Sequence, residues 1–130
     1  MARYLLDTTA TVDYLRGRGD VIDLLSSLDR AGHRLCVCCI TLAETYAGLR
    51  PQDNAKADAL FGGLQYLYIG SQAARMAGQW RYDFARQGIT LHLTDALIAA
   101  VAIEEEAILI TANLKDFPMA GLQILPQPLR

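Results

Sequence analysis

The chain has 130 residues, 52% hydrophobic and 20% charged, which predicts one globular domain over 1–130, large enough to bury a core without staples. Its net charge of −2 argues against a uniformly basic nucleic-acid coat but is silent on local patches. The longest apolar stretch, Ala96 to Ile103, falls short of the roughly 20 residues that span a bilayer, and Asp7 comes too early for a secretory leader; a soluble, cytoplasmic chain with no membrane partner is expected.

Tyr4-Leu5-Leu6 is a short apolar run that reads as a first strand, passing at Asp7 into a helix over about Thr9 to Arg16. A second helix starts at a cap on Asp20, carries Val21, Leu24, Leu25 and Leu28, and stops before Gly32. Leu35 to Ile40 is continuously apolar, as in a strand buried on both faces. Thr41 opens a helix through Tyr46 that ends around Gly48 to Pro51, and another occupies Asn54 to Leu64. Tyr66 to Ile69 reads as a short strand and Ser71 to Gln87 as a long helix stopped by Gly88. Thr94 to Glu105 is helical, with Leu97, Ala100, Val101 and Ile103 forming a broad apolar face. Ile108-Leu109-Ile110 is another buried strand, and Leu122 to Leu125 an edge strand beyond which Pro126 and Pro128 prevent further pairing.

Strands alternating with helices imply an α/β fold with a mostly parallel sheet of four to five strands and helices on both faces. Ligands of such sheets bind beyond the carboxyl ends of the strands. Asp7, Glu44 and the segment Thr111 to Asp116 each follow a strand closely, and Asp95 arrives there at the start of a helix. Cys36, Cys38 and Cys39 are too closely spaced for a disulfide framework, and neither His33 nor His92 stands at zinc-ligand spacing from them. They read as thiols buried in a strand, in a reducing compartment.

Each acid has a structural explanation. Glu44 completes Thr41-Leu42-Ala43-Glu44, a capping-box pattern, and Asp95 after Thr94 suits the positive end of a helix. Asp7 has no evident cap or pair. Jointly they say more, because clustered carboxylates repel unless a cation neutralises them. Oxygen-only ligands favour Mg2+ or Mn2+ over zinc, and such an ion completes its shell with water and substrate phosphate. That points to phosphoryl chemistry. With Asp7, Glu44, Asp95 and Asp116 set aside, ten acids face twelve bases, ten of them Arg, the side chain suited to forked phosphate contacts. Arg16, Arg75 and Arg81 are candidates for flanking phosphates.

Four blocks carry a resemblance: Leu5-Leu6-Asp7-Thr8-Thr9; Ile40-Thr41-Leu42-Ala43-Glu44 with Gly48; Thr94-Asp95-Ala96-Leu97-Ile98-Ala99-Ala100; and Leu109-Ile110-Thr111-Ala112-Asn113 through Lys115-Asp116-Phe117. Together they resemble the motifs of PIN-domain ribonucleases, in the order and spacing of the VapC-type toxins of toxin–antitoxin pairs. The resemblance implies a PIN-like three-layer sandwich and a Mg2+- or Mn2+-dependent endoribonuclease that cuts RNA with a metal-activated water. It further implies a homodimer restrained by a VapB-like antitoxin. By position Asp7, Glu44 and Asp95 match the family's three main acids, Thr9 matches a small polar residue of the site, and Asn113 stands where many members carry a fourth acid. An amide binds Mg2+ less strongly than a carboxylate, and Asp116, three residues on, is the alternative. The expected site is therefore Asp7, Glu44, Asp95, Asn113 and Asp116, with Asp7, Asp95, Glu44 and Asp116 as metal ligands. Thr111 either orients a ligand or ends its strand.

Two other readings fit parts of the sequence. An aspartyl-nucleophile phosphohydrolase would have Asp7 attack phosphorus, but it wants a second acid close by and the next is Asp13. A non-catalytic interaction module would use the acids as caps and its apolar helices to bury a partner.

Overall fold

The computed structural model describes residues 1–128. Its elements in chain order are β1 (Arg3–Leu6), α1 (Thr8–Leu15), α2 (Gly19–Arg30), β2 (Arg34–Cys38), α3 (Cys39–Ala47), a 3-10 turn (Pro51–Asp53), α4 (Asn54–Gly62), β3 (Gln65–Leu67), α5 (Ser71–Arg86), α6 (Leu93–Glu104), β4 (Ala107–Thr111), a second 3-10 turn (Leu114–Asp116) and β5 (Ile124–Pro126). The strands are all parallel and lie in the order β3-β2-β1-β4-β5. β1 is central, with Leu5 beside Cys36 on one side and Leu109 on the other.

Successive side chains of a strand point to opposite faces, and β1 shows the consequence. Leu5 packs with Cys36, Cys38 and Leu109 against Ala73 and Ala77 of α5 and the alanine-rich body of α6. Leu6 packs with Ile110 against Ala10 of α1 and Val21 and Leu25 of α2. The sheet is thus covered on both faces, the three-layer arrangement expected, and consecutive residues of its central strands, Leu5-Leu6, Val37-Cys38 and Leu109-Ile110, are apolar for that reason. Leu5, Leu6, Ile98, Leu109 and Ile110 are wholly buried, each contributing about 1.5–3 kcal/mol of transfer free energy.

Three local expectations are corrected. The apolar run Leu35 to Ile40 is not one strand: β2 ends at Cys38 and α3 starts at Cys39. Cys36 and Cys38 are buried, but Cys39 is exposed on the helix. A short apolar run has no period that marks such a switch. Asp20 is the second residue of α2, with Arg18 in the capping position, and its carboxylate accepts from the Val21 N–H at 2.8 Å. Pro126 does not end the sheet. It lies within β5 opposite Thr111. Residues 123 and 127, on either side of β5, also bond β4, through Leu109 N–H to the Gln123 carbonyl and Gln127 N–H to the Thr111 carbonyl, both at 2.9 Å. Pro126 occupies the outward position of an edge strand, where its missing N–H costs nothing.

Candidate metal centre

The carboxyl ends of β1, β2 and β4 deliver three pieces of chain to one edge of the sheet. At the end of β1 the Asp7 N–H still bonds the Ile110 carbonyl at 3.0 Å, so the residue is fixed by the sheet before α1 begins. Asp7 is 5% exposed, and both its oxygens are engaged. Oδ1 accepts from the Thr8 N–H at 2.6 Å, capping α1, and Oδ2 accepts from the Thr111 hydroxyl at 2.6 Å. Asp7 therefore has the cap and the partner that its sequence context did not suggest, and Thr111 both ends its strand and orients this carboxylate. The Thr111 hydroxyl in turn accepts from the Asn113 N–H at 3.0 Å.

Glu44 shows the converse. Because α3 starts at Cys39, Glu44 is its sixth residue and forms no capping box. Thr41 donates to the Leu6 carbonyl at 3.1 Å instead, tying α3 to β1. Glu44 is exposed and accepts from the Thr8 hydroxyl at 2.6 Å, which holds it on the Asp7 side. Asp95 lies in the first turn of α6, half-buried, as expected.

The charges of Glu44 and Asp116 reach both Asp7 and Asp95. Burial raises the pKa of Asp7; hydrogen bonds from Thr111 and Thr8 oppose this, and the charges of Glu44 and Asp116 add to it. Asp95 is pushed up to about 6, first by burial, then by Asp7 and Asp116, with His92 opposing and Glu44 adding. Asp116 closes the 3-10 turn after β4, its N–H bonded to the Asn113 carbonyl at 3.0 Å. A short helical turn forms there, and its acid, like Glu44, is one whose charge reaches both Asp7 and Asp95. The Asn113 side chain is exposed at the head of the turn and makes no capping bond.

Among the described residues, none of Asp7, Glu44, Asp95 and Asp116 belongs to an ion pair; the pairs are Arg3–Glu105, Arg18–Asp13, Arg18–Asp20 and Arg50–Asp53. Four acids share this edge with no ion pair to neutralise them, which is the donor chemistry of a hard divalent ion. No three His, Cys, Asp or Glu side chains among the described residues are grouped tightly enough to close on an ion together.

Two residues of the edge carried no sequence signal that singled them out. Thr8 bridges Asp7 and Glu44, through its N–H to the first and its hydroxyl to the second. Gln127, 2% exposed, accepts from the Thr9 hydroxyl at 3.2 Å and donates to the buried carboxylate of Asp13, while Thr9 accepts from the Ala112 N–H at 3.3 Å. Thr9 thus ties α1 to the segment after β4 rather than reaching into the acid cluster. Asp13 is held by Gln127 and by Arg18 at 3.0 Å, so it does not supply the second acid an aspartyl nucleophile at Asp7 would need. His33 accepts from the Ala2 N–H at 3.0 Å and packs edge-on to Tyr4, at the opposite end of the sheet from the acids.

The family model for the PIN domain matches residues 4–119. The chain is 35% identical over 117 residues to ribonuclease VapC19 of Mycobacterium tuberculosis, covering 88% of this chain and 92% of that protein. It is 30% identical over 130 residues to the tRNA(fMet)-specific endonuclease VapC of Salmonella typhimurium, covering 95% and 97%. Among solved structures, a chain of DNA-bound VapBC from Salmonella typhimurium superposes with a TM-score of 0.84 at 28% identity, covering 98% of this chain and all of that one.

Proposed function

The chain belongs to the PIN-domain family, and from that premise we propose that Asp7, Asp95 and Glu44, with Asp116 at the fourth corner, hold a divalent cation that cuts RNA. The chain is a VapC-type endoribonuclease, the toxin of a toxin–antitoxin pair, with RNA as substrate and a VapB-like antitoxin as partner. The ion of this reading is Mg2+, with Mn2+ as the alternative; a homodimer and a cytoplasmic location belong to the same reading. No described helix is long and apolar enough to cross a membrane.

The observation that carries the proposal is the cluster of four acids with no ion pair, in which Asp95 is raised to about 6. A bound divalent ion supplies Lewis-acid polarisation of the phosphodiester and a water of lowered pKa. The protein's part is positioning. Asp7 is locked by Thr8 and Thr111, so its free lone pairs are aimed before substrate arrives. Asp95, in the first turn of α6, would ligate the ion as the carboxylate. Glu44, exposed and steered by Thr8, accepts a proton from a water or holds that water in line. Asp116 adds charge from the flank. Asn113 presents a neutral amide to solvent, where it can donate to a phosphate oxygen.

The test is cleavage of total RNA by the purified chain, with fragment ends sequenced. Activity is expected with Mg2+ or Mn2+, absent in excess chelator, and absent in Asp7→Asn at unchanged circular dichroism. Chelator-resistant cutting, or full activity in Asp7→Asn, overturns the proposal.

A further inference from the structure

Helix α5 carries a polar stripe that neither the core nor the acid cluster uses. Arg75, Gln79, Tyr82 and Arg86 follow one another at spacings of four, three and four, which places them on one face. Ala73 and Ala77 are buried and Met76, Trp80 and Phe84 pack on the core, so the stripe points directly away from it. Arg75, Gln79 and Arg86 are exposed and Tyr82 is 55% exposed. The Arg86 guanidinium lies 4.2 Å above the Tyr82 ring and donates to its hydroxyl, which presets both side chains. Among the described residues neither arginine is in an ion pair, and the helix's one acid, Asp83, sits beside the stripe, bonded by Gln79 at 3.0 Å. Arg81, by contrast, is off this face.

The stripe leads to the acids. Six residues join Arg86 to Leu93, the first residue of α6, and the Ile89 N–H bonds back to the Phe84 carbonyl at 2.9 Å, curling the connection tightly. Three residues join Leu67, the end of β3, to Ser71, so both ends of α5 are tied by short connections to the edge of the sheet that holds the acids. From Arg75 to Arg86 the stripe extends about 16 Å along the helix.

Resting on the ribonuclease reading above, we propose that this face of α5 is the track for the single-stranded RNA beside the scissile bond, with Arg75 and Arg86 on phosphates and Tyr82 stacking on a base. Unpaired arginines interleaved with an exposed aromatic are what such a strand requires: cations for its backbone and a flat ring for its bases, without sequence readout. The cut is then selected by strand accessibility, and any finer preference arises elsewhere.

The test measures binding of a fluorescein-labelled mixed-sequence single-stranded RNA in chelator, so that nothing is cut, and then kcat and KM in Mg2+. Removing two phosphate contacts in the Arg75→Ala, Arg86→Ala double variant should flatten the slope of log affinity against log salt by about 1.4. It should raise KM with kcat little changed. Tyr82→Ala should weaken binding about tenfold and Tyr82→Phe should restore it. Arg30→Ala, an exposed arginine at the end of α2 away from the acids, is the control for net charge and should have no effect. If wild type cleaves RNA and the stripe variants bind as it does, the track is overturned alone. An equal loss in Arg30→Ala, or a loss that follows dissociation of a dimer in light scattering, also overturns it. If wild type neither binds nor cuts RNA, both readings fall.

Discussion

Replacing Asp95 by Asn removes one charge from a crowded acidic site and keeps the side chain's shape. The folded pKa of Asp95 is about 6, against 3.8 for the free group, a gap worth about 3 kcal/mol in full. The carboxyl is only half-buried, and solvent screening reduces the figure to roughly 1–2 kcal/mol. The sign follows from the direction. A raised carboxyl pKa means the folded chain binds more protons than the unfolded one between 3.8 and about 6, so wild type loses stability as pH rises through that window. Asp95→Asn should therefore melt about 4–8 °C above wild type in chelator at pH 7.5. The difference should shrink as pH falls from about 6 and vanish below the unfolded value. Divalent ion should reverse the order. Saturation a hundredfold above Kd stabilises the protein that binds it by about 2.7 kcal/mol, and only wild type keeps its ligand. Thermal unfolding followed by circular dichroism, with chelator and with Mg2+ at both pH values, reads all of this. A variant less stable than wild type in chelator at pH 7.5, or one that gains as much from Mg2+ as wild type, would refute the reasoning.

Asp7→Asn and Asp7→Ala should separate capping from chemistry. Asn caps a helix as well as Asp, so Asp7→Asn should lose cleavage at nearly wild-type stability, whereas Asp7→Ala should cost about 1 kcal/mol more in urea unfolding. Asp116→Asn should raise the Mg2+ concentration needed for half-maximal cleavage several-fold, while Asn113→Ala should leave it unchanged and affect KM alone; a reversed pattern in metal titrations would move the fourth corner to Asn113. Gln127→Ala leaves the buried Asp13 carboxylate and the Thr9 hydroxyl short of a partner. It should cost about 1–3 kcal/mol in unfolding, checked against Gln127→Glu, which places a second carboxylate beside Asp13 and should cost more.

The layers of the fold were legible because burial leaves a periodic trace. Leu5 and Leu6 are both apolar because each faces its own core, and that doubling marks a strand covered on two sides. Boundaries were less legible where the trace has no period. Cys38 and Cys39 are chemically alike, and only the turn into α3 separates a buried thiol from an exposed one. At Pro126 the sequence shows a missing donor but not which way it faces, and the pairing of residues 123 and 127 supplies the answer.

The capping of Glu44 and Asp7 was misread, for one physical reason. Capping is a local pattern, so Thr41 to Glu44 offered a box that a helix starting two residues earlier removes. Asp7 offered none, because its cap is the N–H of the next residue and its other partner, Thr111, lies 104 residues away. The tertiary structure thus reverses the weighting. Asp7 is the acid with the strongest structural duty, and Glu44 is the one held by a single hydroxyl and open to solvent. The exposed stripe of α5 was hidden differently, since Arg75 and Arg81 look equivalent in the sequence. Spacing puts Arg75 on one face with Tyr82 and Arg86, and only the direction of the core, set by Ala73, Ala77 and Phe84, shows that this face looks outward.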